Sequence, residues 1–247
     1  MSKKLSGTVA LVTGGSRGIG AAIAKRLAQD GAAVAITYAS SSTKADEVVA
    51  TIEAEGGRAL AVRADSADAD AVKNAVAETV KTLGRLDILV NNAGIAIVKP
   101  VDEFTLEEFD RLVNINIRGV FVGIQEALRH MQEGGRIITI GSVNGDRMPF
   151  QGGSVYAMSK AAVAGLTRGL ARDLGPRGIT VNTVQPGPVN TDLNPEHGPF
   201  AEMLKGLLAL PRYGKDDEVA SLVAFLASPE AAFITGASLD IDGGFKA

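Results

Sequence analysis

The sequence predicts an α/β fold: one doubly wound, seven-stranded parallel sheet with helices on both faces. Three observations predict it. Seven short β-branched runs are apolar at both alternating positions, as strands covered on two faces must be. Helix-length amphipathic stretches fill the intervals between them. A glycine-rich turn follows the first run directly.

In order, the strands are TVALVTG (8–14), AVAITYA (33–39), RALAVRAD (58–65), LDILVNNAG (86–94), RIITIGS (136–142), ITVNTVQPG (179–187) and SLDIDGG (238–244). The helices between them are predicted over Ile19–Gln29, Thr43–Glu55, Asp68–Leu83, Leu106–Met131, Val155–Leu174 and Asp216–Leu226, with a mobile piece near Phe200–Leu208. Right-handed crossovers between successive parallel strands wind such a chain into one open sheet and gather ligands at the strands' carboxyl ends. The five prolines of Pro186–Pro211 mark the one long irregular stretch, so residues 188–212 are expected to form a substrate lid on a single domain spanning 1–247.

With 46% hydrophobic residues among 247, the chain can build a core. A charge of −3, from 25 basic against 28 acidic residues, argues against binding a nucleic acid polymer. Cysteine is absent, which excludes disulfides and thiolate zinc, and no metal site is expected. The start, MSKKLSG, lacks a signal-peptide apolar region, and no run approaches the roughly 18 residues of a membrane span. These features predict a soluble, cytoplasmic protein with no membrane partner.

The turn TGGSRGIG (13–20) leaves a predicted strand and opens a predicted helix, the context that distinguishes a dinucleotide turn from scattered glycines. Gly14 permits the tight turn, while Gly18 and Gly20, with Ser16, Arg17 and Ile19 between or before them, let a pyrophosphate approach the helix N-terminus. An ordinary glycine-rich loop is the plain alternative. After the second strand an NAD site would place a carboxylate, but this sequence reads Tyr38, Ala39, Ser40, Ser41. Ser40, Ser41 and Arg17 can donate to a 2′-phosphate, so NADP(H) is the expected cofactor. The serines also read as caps for the helix beginning near Thr43.

In YAMSK (156–160) a phenol and an amine stand four residues apart, on one helix face. An ammonium beside a phenol is expected to lower its pKa from about 10 and make an acid–base pair for a carbonyl or alcohol oxygen. Ser142 ends the preceding strand, where its hydroxyl could polarise the same oxygen.

Taken together, TGGSRGIG, NNAG (91–94), Ser142 with Tyr156-x-x-x-Lys160, and PGPVNT (186–191) resemble the short-chain dehydrogenase/reductase family over essentially the whole chain. The resemblance implies a single Rossmann domain, a homotetramer and hydride transfer between nicotinamide and a carbonyl carbon. Tyr156 would be the general acid, Lys160 would bind the nicotinamide ribose and Ser142 would hold the substrate oxygen. Asn116, chosen over Asn114 because it lies five residues before Phe121, would anchor a relay water through its carbonyl. By the same resemblance Asp65 and Ser66 contact adenine, and Asn92, Ala93 and Gly94 line the ribose. Pro186, Gly187, Val189 and Thr191 meet the nicotinamide end.

The stretch GDRMPFQGGS (145–154) between Ser142 and Tyr156 is expected to shape the pocket wall, with Asn144, Met148, Phe150 and Gln151 on the substrate side. Such a pocket favours small, cyclic or 3-oxo ketones, or the corresponding alcohols. Reduction of a 3-oxoacyl-acyl-carrier-protein is the runner-up: that acidic partner needs a basic surface, for which only Arg129, Arg168 and Arg172 stand out. IGSVNGDRMP (140–149) and VQPGPVNTDLNP (184–195) also resemble a cyclic-di-GMP-binding regulator of the same family, in which Arg17, Arg147 and the glycine turn would hold phosphates.

Overall fold

A computed structural model describes residues 3–198 and 200–247. Strands β1 (Val9–Val12), β2 (Ala33–Tyr38), β3 (Ala59–Arg63), β4 (Ile88–Asn91), β5 (Arg136–Ile140), β6 (Thr180–Pro186) and β7 (Ser238–Ile241) form one sheet in the order β3-β2-β1-β4-β5-β6-β7. Every neighbouring pair is parallel. Helices α1 (Gly18–Gln29), α2 (Ser42–Ala54), α3 (Ala69–Leu83), α4 (Leu106–Val113), α5 (Gly119–Ala127), α6 (Ser154–Leu174), α7 (Ala201–Lys205) and α8 (Asp216–Ala227) complete it.

Strand periodicity explains the two cores. Ala10 and Val12, Ile88 and Val90, and Ile138 and Ile140 project into one apolar cluster, which α1 and α8 cover with Ile23, Leu27 and Val223. The intervening Leu11, Leu89 and Ile137 enter a second, closed by Val76, Ile124 and Val163 from α3, α5 and α6. Each valine, leucine or isoleucine among them withdrawn fully from water contributes about 2 kcal/mol. The expectation of burial on both faces fails only at the sheet's edges, where β3 is half-buried and β7 alternates exposed with half-buried residues, since an edge strand lacks one neighbour. The strand order reverses between β1 and β4, and the crevice above that point receives the glycine turn.

Three helix expectations are corrected. The predicted helix Leu106–Met131 is interrupted by a π-helical turn, Asn114–Arg118, between α4 and α5, with the Gly119 N–H reaching the Asn114 carbonyl. It also ends at Ala127, and beyond that end the Arg177 guanidinium takes the carbonyls of Leu128 and Met131 at 2.9 and 3.1 Å. Second, α2 starts at Ser42, and Ser41 at its N-cap makes no side-chain capping bond, so the serines do not cap this helix as expected. Third, Phe200–Leu208 contains a short helix, α7, whose Ala201 and Leu204 are buried against Val143, Tyr213 and Phe245. Pro199, within the expected 188–212 lid, lies outside the described residues.

Candidate active site

The glycine turn is held from both sides of the crevice. Gly14 and Gly18 adopt φ of +64° and +50°, a region other residues avoid. The Gly14 N–H donates to Thr37 Oγ1 at 3.0 Å, and Asn92 Nδ2 donates to the carbonyls of Thr13 and Gly14 at 2.9 and 3.1 Å. Thr13 Oγ1 in turn accepts from the N–H groups of Asn92 and Ala93 at 3.0 and 3.1 Å, which ties the NNAG segment to the turn. A Cβ on Gly20 would lie 2.4 Å from Asn92 Nδ2, so only glycine lets α1 begin this close to the sheet. Arg17 at the N-cap of α1 makes no side-chain cap, and the first turn carries no acidic residue, leaving its N–H groups to face a ligand.

At the end of β2, Tyr38 is half-buried and Ala39 and Ser40 are exposed, with Ser41 beside them. The pairing of β2 with β3 places Arg63 opposite Tyr38, and Arg63 Nε donates to the Ala39 carbonyl at 3.4 Å. This second cation escaped sequence reasoning, because only the strand register brings it there. Arg17 lies 3.7 Å and Lys44 3.0 Å from the carboxylate of Asp192, in the segment expected to form a lid. Asp65 caps its own loop through Ala67 N–H at 3.0 Å, and Ser66 borders a small void with Thr13 and Thr37. At the far end of the crevice, Gly187 would meet Asp242 Cα at 2.7 Å if it bore a Cβ. Thr191 approaches the Cβ position of Gly18 to 3.4 Å. Pro186 closes β6, and Val189 is buried and paired with Gly214.

Ser142, Tyr156 and Lys160 meet where β5 ends and α6 begins. Lys160 is 7% exposed, and its Nζ donates to the Ile140 carbonyl at 2.9 Å and lies 5.8 Å from the Tyr156 ring centre. With no carboxylate beside it, burial pushes its pKa down to about 8. Burial also raises the Tyr156 phenol above its ordinary value, partly opposed by its hydrogen bond with Ser142. The expected lowering of the phenol by Lys160 is therefore not found: burial is the larger cause, and the one that opposes it is the Ser142 hydroxyl. Asn116 sits in the π turn, where its amide clamps Ile95, accepting from the N–H and donating to the carbonyl at 2.9 Å each, and donates to Ser159 Oγ at 3.0 Å. Ser159, which sequence reasoning missed, passes this contact to the Tyr156 carbonyl at 2.7 Å.

The residues expected on the substrate side have different surroundings. Asn144 donates its N–H to Ser142 Oγ at 3.2 Å, and its own Oδ1 is buried without a hydrogen-bond partner. Met148 is folded against Gly153, and Phe150 packs with Leu207 and Leu208 at the margin of the α7 cluster. Gln151 is exposed, beside the Lys99 N–H to Gly152 carbonyl bond at 3.0 Å. Arg147 turns away to the Phe245 carbonyl, so the structure does not bring it to Arg17. Arg129 pairs with Glu126 at 3.3 Å past the end of α5, and Arg172 lies in the last turn of α6. Within one chain both stand at the sheet end opposite Ser142. Among the described residues no cluster could hold a metal ion, and no helix is long and apolar enough to cross a membrane.

A family model described as enoyl-(acyl carrier protein) reductase matches residues 14–246. A cyclic-di-GMP-binding biofilm dispersal mediator protein of Escherichia coli is 52% identical over 242 residues, 98% of each chain. A 3-oxoacyl-(acyl-carrier-protein) reductase of Synechocystis is 44% identical over 243 residues, 97% of each chain. A short chain dehydrogenase from Burkholderia cenocepacia, solved in complex with NADP, superposes with a TM-score of 0.98 at 56% identity, covering 99% of this chain and 100% of that one. Likeness of this extent, over both fold and sequence, means that the chain belongs to the short-chain dehydrogenase/reductase family of oxidoreductases.

Proposed function

We propose that the chain is an NADP(H)-dependent carbonyl reductase and secondary-alcohol dehydrogenase acting on small, cyclic or 3-oxo ketones. The observation that carries this reading is the convergence of Ser142, Tyr156 and Lys160 beside an uncapped helix N-terminus. The residues fit the dinucleotide. Gly14, Gly18 and the free N–H groups of α1 suit a pyrophosphate, with Ser16 and Ile19 flanking. Arg17, Ser40, Ser41 and Arg63 suit a 2′-phosphate at a strand end that lacks the carboxylate of an NAD site. The Burkholderia relative's complex with NADP supports the same choice.

NADPH, when bound, supplies the hydride. Tyr156, kept protonated by burial, donates its proton to the carbonyl oxygen that Ser142 holds, and Lys160 restores that proton. Because the Asn116 amide is occupied by Ile95, its main-chain carbonyl is the atom assigned to the relay water. The unpartnered Asn144 Oδ1 offers an acceptor to a polar substrate group, while Met148 and Phe150 supply apolar wall and exposed Gln151 borders the mouth. Exposed Phe121 on α5 and Met158 on α6 offer apolar surface to further copies, in keeping with a homotetramer, and a cytoplasmic location goes with this reading.

The Synechocystis relative supports the 3-oxoacyl-carrier substrate as runner-up. The Escherichia coli relative's name supports a cyclic-di-GMP-binding role. Separation of Arg147 from Arg17 weakens that second reading. The test is NADPH and NADH oxidation against a ketone panel that includes acetoacetyl-carrier protein, with cyclic-di-GMP competition alongside. Turnover of free ketones with NADPH supports the proposal. A large preference for the carrier-bound ketone reverses the ranking, and cyclic-di-GMP competition without turnover removes the enzyme reading.

A further inference from the structure

Residues 242–247 fold back onto the turn that follows Ser142 and onto α7. After β7, the Asp242 carboxylate accepts from the N–H groups of Gly244 and Lys246 at 2.9 and 3.0 Å, closing the tail into a turn. The turn buries Phe245, 1% exposed, in one cluster with Val143, the residue after Ser142, and with Ala201 and Leu204 of α7. One aromatic ring thus supports both the loop that follows Ser142 and α7.

Charge ties the same pieces. Lys246 Nζ meets the carboxylates of Asp146 at 2.5 Å and Asp240 at 2.9 Å. Gln185, 1% exposed, donates to both carboxylates at 3.0 and 3.1 Å. Arg147 donates to the Phe245 carbonyl and lies 5.6 Å from its ring centre. Two successive loop residues are therefore held by two successive tail residues. The described polar contacts of this network do not involve Tyr156, Lys160 or the glycine turn. A shared ring couples the two segments, because a cavity left by truncating it opens onto both. The ion pair sits in a hydrogen-bonded network at a side chain only 26% exposed, unlike an isolated surface pair.

We propose that the C-terminal tail is a positioning element of the substrate cleft. Phe245 sets ketone selectivity by supporting Val143 and α7 together, and Lys246, through Asp146, fixes the loop that forms the substrate wall. The kinetic half of this inference rests on the ketone-reductase reading; the structural half does not.

The test uses the full chain with Phe245→Leu, Lys246→Met, Lys246→Arg, Asp146→Asn and the Lys246→Met/Asp146→Asn pair. Amide hydrogen exchange in residues 143–153 and 200–208 is measured alongside NADPH affinity, kcat and KM for one small cyclic and one bulky aryl ketone. Phe245→Leu should speed exchange in both segments, and Lys246→Met at least in 143–153. Both should raise KM by roughly tenfold, change the ratio between the two ketones and leave the NADPH Kd within about twofold. Lys246→Arg should restore the parent values, and the double variant should be no worse than the worse single one. Unchanged exchange in both segments, an NADPH Kd that moves as far as KM, or additive effects of the pair would overturn the proposal. If the parent reduces no ketone, the functional reading fails while the exchange result still decides whether the tail holds the walls. If Phe245→Leu does not fold, Lys246→Met and its cycle with Asp146→Asn decide the matter.

Discussion

Burial pushes Tyr156 and Lys160 toward their neutral forms, raising the phenol and taking the amine down to about 8. For reduction this suits the chemistry, since a neutral phenol is a proton donor. Tyr156→Phe should lower kcat/KM for ketone reduction by about 10³ while NADPH still binds with its parent Kd, as stopped-flow turnover and fluorescence titration would measure. A folded-state lysine pKa of about 8 against an ordinary value of 10.5 has a definite stability sign. Below about 8 both states carry the proton and the buried charge destabilises the fold in full; between about 8 and 10.5 the folded state sheds its proton first, so stability rises with pH. Lys160→Met should therefore melt higher than the parent at pH 7, by a margin that shrinks across that window. Asp192 gives a third expectation. Its carboxylate pairs with Arg17 of the glycine turn and with Lys44, so Asp192→Asn should tighten NADPH by severalfold in equilibrium titration, with the gain fading at high salt.

Legibility differed from element to element for physical reasons. The central strands were readable because a strand buried on two faces must be apolar throughout, and Ser142, Tyr156 and Lys160 were readable because strand end and helix turn fix their placement. The π turn was not readable. It depends on Asn116 clamping Ile95 across the crevice, a tertiary pull that leaves no mark on the periodicity of residues 106–131. Arg63 likewise joins the Ala39–Ser41 segment only through the β2–β3 register. Gly145 shows how closely two elements can depend on one missing side chain: a Cβ there would stand 2.9 Å from Ala161 N and 3.0 Å from the Lys160 carbonyl carbon. Gly145→Ala should force the turn after Ser142 away from α6. We expect a loss of about 1–3 kcal/mol in urea unfolding. A fall in kcat should accompany it, larger than any change in NADPH affinity.

The strand order reverses between β1 and β4, so a dinucleotide lying across that crevice would rest on both halves of the sheet and stabilise the fold as one unit. Ligand that binds only the folded state at 100 times its Kd adds about 2.7 kcal/mol. For a chain of this length that converts to a rise in Tm of roughly 5–10 °C. The 2′-phosphate is the only difference between NADPH and NADH, and the groups proposed to meet it are Arg17, Ser40, Ser41 and Arg63, with no carboxylate on the segment after β2. At equal concentration NADPH should therefore raise Tm by more than NADH. Replacing Arg17 and Arg63 together by alanine should remove most of the excess and leave the NADH shift nearly unchanged, because on the proposed reading the pyrophosphate meets backbone N–H groups of α1. Differential scanning fluorimetry on the parent and this double variant reads all four shifts. Equal shifts for the two nucleotides in the parent would deny the 2′-phosphate site, and an excess that survives in the variant would move it away from these two arginines.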